Sequence, residues 1–274
     1  MLFISRPKMS AFGAYGSTYD RNILLRQGRN LNPEDLFFWL SYGYYKAMND
    51  RKKSLLSLIL LVPAPSIGAL SAMVLFPDTM LGKIIFALSK IWLFAFPLVW
   101  YVIIFRNKIS LSPPRKGGFG MGLLTGVVIS LAIFAVYLAF GSKLFDHALF
   151  TAKMKEIGLA SIPMYAGGAL YWILINSVLE EYVWRWFVVE QCERLVKPVP
   201  AAIFASLFFT LHHVVALQVY CGTAAVVICS AGVFTGGLVW SMMYVKYRSV
   251  WPGYLSHAIV DLCIFGIGAL MLFG

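Results

Sequence analysis

Seven stretches of this chain are apolar for about 20 residues or more, the length at which an α-helix crosses a hydrocarbon core of roughly 30 Å. They fall at about 54–76, 84–105, 119–140, 163–189, 199–219, 222–245 and 250–273. The rest of the composition agrees. Of 274 residues, 60% are hydrophobic and only 13% are charged, against about a quarter charged in an average soluble domain. That excludes disorder and argues strongly against an ordinary soluble domain. The expected fold class is all-α, a polytopic membrane helix bundle of about seven transmembrane helices with an N-terminal interfacial helix.

Residues 1–53 read as an N-terminal cytoplasmic or interfacial region, 54–162 as the first three membrane helices with their loops, and 163–274 as the bundle of the last four membrane helices. The N-terminal region has no apolar h-region, so it does not read as a signal peptide. It does contain a helix start. Asn32 is a capping residue, Pro33 suits the first helical position, and Glu34 and Asp35 fall in the first turn. Residues 33–49 form either an interfacial helix on the membrane or a small soluble cap. Pro63 and Pro65 should kink the first span, and Lys90, near one end of the second, can snorkel. No internal repeat is visible, which counts against an inverted-repeat transporter. Cys192, Cys221, Cys229 and Cys263 form no C-x-x-C pair, and no structural disulfide is expected.

Loop charge sets the orientation. Of 23 Lys and Arg residues, 17 fall on the side of the N-terminal region and only Lys83, Lys143, Lys153 and Lys155 on the other, with Lys90 and Arg185 inside spans. By the positive-inside rule the N-terminus is cytoplasmic and the C-terminus external. The net charge of +11 is loop charge of this kind, and no nucleic-acid partner is expected. Membrane lipids are.

Ionisable side chains inside a membrane are costly and mark function by default. The first three spans hold almost none. The last four hold Glu180, Glu181, Arg185, His212, His213, His257 and Asp261. Glu181 and Arg185 are four apart, share a helix face and can pair. Glu180 and Arg185 are five apart and face each other poorly, which leaves Glu180 available as a base. Adjacent His212 and His213 point about 100° apart, so normally one of them faces a given site. His257 and Asp261, four apart, face the same way. They either share a metal or water, or Asp261 orients the His257 ring. At roughly 1.5 Å per residue the three motifs can converge between the cytoplasmic leaflet and the midplane. A set of Glu180, His213, His257 and Asp261 suits a divalent metal such as zinc, and equally a metal-free general base.

The order Glu180-Glu181-x-x-x-Arg185, Phe-x-x-x-His, His257-x-x-x-Asp261 on successive late helices resembles the CPBP intramembrane proteases. These include type II CAAX prenyl endopeptidases and bacteriocin-processing and self-immunity proteins. The resemblance covers about 163–273. It implies that Glu180 activates the hydrolytic water, that Glu181 pairs with Arg185, and that His257 is one site histidine. Ser206-x-x-Phe209-x-x-x-His213 is similar to the family's spacing and makes His213 the other; Phe208 leads to His212 in the same way. The last motif position takes Asn or Asp, so Asp261 fits. The implied activity is intramembrane hydrolysis of a peptide bond near the cytoplasmic surface, as in a metalloendopeptidase. The implied substrate is a peptide or a prenylated protein. The alternative is a non-enzymatic membrane scaffold or self-immunity protein of the same fold.

Overall fold

The computed structural model describes residues 49–107 and 109–274. The helix expected over 33–49 therefore lies, all but its last residue, outside the described residues. Eight helices follow: α1 (Asn49–Leu75), α2 (Met80–Ile104), α3 (Phe119–Leu144), α4 (His147–Glu156), α5 (Ile162–Glu193), α6 (Pro198–Tyr220), α7 (Thr223–Tyr247) and α8 (Trp251–Phe273). All except α4 are long and apolar enough to cross a membrane. The described residues contain no strand. The chain is an all-α polytopic bundle.

Local chemistry fixes the helix starts. The Thr79 side chain caps α2 by accepting from Gly82 N at 3.1 Å. Asp146 caps α4 by accepting from Ala148 N and Leu149 N. Prolines occupy the first turns of α5, α6 and α8, where no intrahelical N–H is needed. The Thr79 cap starts α2 four residues before the position read from hydropathy alone. Lys90 consequently lies ten residues inside α2.

Several turns are wound wider than α, with N–H groups reaching back five residues. Phe105 N donates to Trp100 O at the end of α2, and Ser177 N donates to Trp172 O in α5. In α5 such turns, Tyr171–Asn176 and Tyr182–Val189, enclose the short α-helical stretch Ser177–Glu181. Local π-turns of this type are frequent at functional sites.

Packing makes α5 the central helix. Val183, Trp184, Arg185, Trp186, Phe187, Val188 and Val189 are all buried. They meet Leu93 and Phe96 of α2, Phe209 of α6 and Trp240 of α7 in one core. A helix that is apolar on most faces buries most faces, and here that buries the two glutamates at its middle. The α3–α8 pair closes another side through small residues. A Cβ on Gly122 would collide with Pro252 O, and Gly126 lies against Ser256 and Ile259. The first three spans and the last four therefore interdigitate.

Candidate active site

Four helices deliver polar groups to the buried middle of the bundle. From α5 come Glu180 and Glu181, 6% and 0% exposed. Arg185 follows one turn later, fully buried, with Nη2 3.3 Å from Glu181 Oε1. This is the i, i+4 pair that helix geometry predicts. The guanidinium also lies 4.7 Å from the Phe209 ring centroid and 5.4 Å from that of Trp240.

The same Glu181 Oε1 stands 3.1 Å from His257 Nδ1. A carboxylate accepts, so Nδ1 carries the proton and the ring is fixed from α5. The opposite ring nitrogen, Nε2, then faces Glu180 Oε2 at 3.9 Å and Asp261 Oδ1 at 3.7 Å. Sequence left open whether Asp261 orients His257. In the structure the orienting bond runs to Glu181, and Asp261 is on the Nε2 side with Glu180. Ser177 Oγ donates to Asp261 Oδ2 at 2.6 Å and holds it there. The indole of Trp240 stacks on His257, centroids 3.9 Å apart and planes 17° apart. Ser256 Oγ accepts from Trp240 Nε1 and from Thr125 Oγ1, both at 3.0 Å. The His257 ring is thus clamped by three helices besides its own.

From α6, His213 Nδ1 donates to Phe209 O at 2.9 Å, since a carbonyl only accepts. This leaves Nε2 with its lone pair. His212 differs from expectation. Its ring stacks on Trp184, centroids 5.5 Å apart and planes 9° apart, and its buried Nδ1 has no hydrogen-bond partner. The His212 and His213 rings are only 4.1 Å apart. The two rings therefore lie side by side although their Cβ vectors diverge. Glu180, His212 and His213 each offer a ligand atom within 4.8 Å of the others. Among the described residues that is the gathered donor group; of the set Glu180, His213, His257 and Asp261 expected from sequence it contains Glu180 and His213, with His257 and Asp261 on the other side of Glu180. A carboxylate with two imidazoles, one carrying an orphaned buried nitrogen, fits a zinc-type site with a position left open.

Asp261 permits a specific test. An Asn side-chain oxygen can still accept from Ser177, whereas Ala cannot. Asp261→Asn is expected to stay within about tenfold of full activity, and Asp261→Ala to lose most of it. Equal, complete loss in both would mean that the charge itself is required.

The site residues that sequence reading missed are His212 as a partner of His213, Ser177, Trp240, Ser256 and Thr125. None stands out by type, and each matters through a contact between helices distant in sequence. For His212 one signal was available: a second imidazole beside the first, deep in a span.

Residues 162–263 match the family model described as Type II CAAX prenyl endopeptidase Rce1-like. The match bears out the resemblance to the CPBP intramembrane proteases. It runs from the first turn of α5 into α8 and contains Glu180, Glu181, Arg185, His212, His213, His257 and Asp261. No curated protein and no solved structure matches the chain.

Proposed function

We propose that this chain is a CAAX-type intramembrane endopeptidase that hydrolyses a peptide bond with water activated at Glu180. The observation that carries the reading is the position of Glu180 between the His212–His213 pair and the tethered His257, within a span of the family-matched segment. Glu180 Oε2 and His257 Nε2 at 3.9 Å are too far apart to hydrogen-bond directly and close enough to share a water. Glu180 takes a proton from that water as its oxygen adds to the carbonyl carbon. The carbon–nitrogen bond then breaks, and the proton passes to the leaving amine, with His257 Nε2 positioned to relay it. Glu181 acts through other groups: it holds the His257 ring and balances Arg185. Asp261, fixed by Ser177, faces the same Nε2.

Glu180, His212 and His213 would hold a divalent ion such as zinc. A bound ion would polarise the carbonyl and acidify water. Metal content of the purified protein, measured by mass spectrometry, is expected to fall in Glu180→Ala, His212→Ala and His213→Ala and to persist in His257→Ala. Persistence in His212→Ala would exclude that residue as a ligand.

The proposed substrate is a peptide or prenylated protein presented from the membrane. The test is cleavage of a farnesylated peptide by protein purified in detergent. Stoichiometric binding without any product would favour the scaffold or self-immunity reading. The proposed orientation has the N-terminus cytoplasmic. With seven spans, a reporter at the N-terminus should read cytoplasmic and one fused after Gly274 external. Reporters on the same side would require an additional or missing crossing.

A further inference from the structure

Lys90 is a cation in the middle of a membrane span with no role in the chemistry above. Lysine at such depth is unfavourable unless something compensates its charge. Its stripe is informative. Lys90, Leu93 and Pro97 recur at i, i+3 and i+7, one face of α2. Leu93 and Pro97 on that face are fully buried. The adjoining Phe96 packs on Phe187 of α5 with centroids 6.1 Å apart. Lys90 thus starts the face that α2 turns toward the helix carrying Glu180. It is half-buried, with its ammonium 5.5 Å from the Phe94 ring centroid and 5.9 Å from that of Phe86.

Depth agrees with direction. Successive spans alternate, so the ends at Ile104, Glu193 and Pro198 share one side of the bundle. At roughly 1.5 Å per residue, Lys90 is about 21 Å from that side, Glu180 about 20 Å, and His212 and His213 about 21–22 Å. Yet among the described residues no carboxylate lies within 4.0 Å of Nζ. A half-buried ammonium at the depth of the site's carboxylate, with no carboxylate partner among the described residues, is arranged to receive an anionic group that arrives from elsewhere.

We propose that Lys90 is the anion-binding residue of this site and holds the free carboxylate of the peptide substrate. The assignment rests on the CAAX-type reading, in which the bond cleaved lies near a C-terminus. A carboxylate there brings its negative charge to the same depth as the scissile bond and fixes which bond meets Glu180. The anionic tetrahedral oxygen of the reaction is the competing recipient, and the two are separable because only one exists before chemistry begins.

The experiment compares two farnesylated peptides that are identical except for a terminal carboxylate or carboxamide. Binding is read by fluorescence anisotropy on full-length protein in detergent, in a Glu180→Gln background so that no peptide is consumed. The acid is expected to bind about tenfold or more tightly than the amide, and Lys90→Met should bring that ratio close to one. The ratio is taken within each variant, so a change in folded fraction cancels. Lys90→Gln serves as a second neutral variant should the methionine protein not purify. A ratio near one before Lys90 is changed, or one that survives its neutralisation, overturns the proposal. A Lys90→Met protein that binds both peptides normally but loses turnover on both equally assigns the ammonium to the tetrahedral oxygen and also overturns it. Cleavage by the unaltered protein is scored separately. A preserved acid preference without cleavage would reject the endopeptidase reading and leave Lys90 as an anion site.

Discussion

Glu180→Gln should leave the protein folded and reduce peptide hydrolysis by at least about 100-fold, the lower end of what a positioned general base contributes. The amide has the shape of the carboxyl group but cannot take a proton from water. Apart from the ion that Glu180 would help to hold, little else depends on the charge. Glu180 makes no ion pair within 3.5 Å: its nearest cationic candidate is His257 Nε2 at 3.9 Å. Its removal therefore strands no buried partner, and thermal unfolding should move little. The check is single-turnover cleavage of the farnesylated peptide beside a melting curve on the same preparation. An active Glu180→Gln enzyme would remove Glu180 from the mechanism and pass the base role to His257 or Asp261. A cleavage defect accompanied by a large drop in melting temperature would show instead that Glu180 is structural.

Much of this site is legible in the sequence because helix periodicity is local. The Glu181–Arg185 pair needs only an i, i+4 spacing, and the structure gives it at 3.3 Å. The seven spans follow from length and apolar character alone. What periodicity does not carry is the partner across the bundle. The Glu181–His257 bond joins residues 76 apart in sequence, and Ser177–Asp261 joins residues 84 apart. A local reading of His257 and Asp261 has them share a metal or water, or has Asp261 orient the ring; the hydrogen bond that orients it comes from Glu181 on another helix.

His212 and Lys90 are harder to place from sequence, for different reasons. A helical wheel treats side chains as fixed vectors, so it brings only one of two adjacent histidines to a given site. Two imidazoles with centroids 4.1 Å apart come together through their own side-chain torsions. The depth of Lys90 is hard to read from sequence because hydropathy locates a span's middle well and its ends poorly, while the Thr79 cap that begins α2 lies outside the apolar run. The wide turns of α5 were also hidden. They arise where π-type hydrogen bonds flank a single α turn, and nothing in the composition of Tyr171–Asn176 announces them.

Glu181→Gln should behave differently from its neighbour, with loss of both stability and activity. Glu181 Oε1 is shared by Arg185 Nη2 at 3.3 Å and His257 Nδ1 at 3.1 Å. Neutralising it leaves the Arg185 cation with no opposing charge in contact. Its Nε, Nη1 and Nη2 are buried and without hydrogen bonds, so the Phe209 and Trp240 rings would be all that faces it. Breaking a buried ion pair from one side costs about 3–5 kcal/mol, a large part of a typical folding stability of about 5–15 kcal/mol. For a chain of this size that corresponds to a fall in melting temperature on the order of 10 °C. The same substitution weakens the charged acceptor that fixes His257, so turnover should fall in the protein that remains folded. A double variant separates these effects. Glu181→Gln with Arg185→Met removes the stranded cation and should recover most of the lost stability. It should recover little activity, because His257 still lacks its carboxylate. If Glu181→Gln melts like the unaltered protein, the buried pair is not what holds α5 in place. If the double variant regains full turnover, the His257 tether has no part in catalysis.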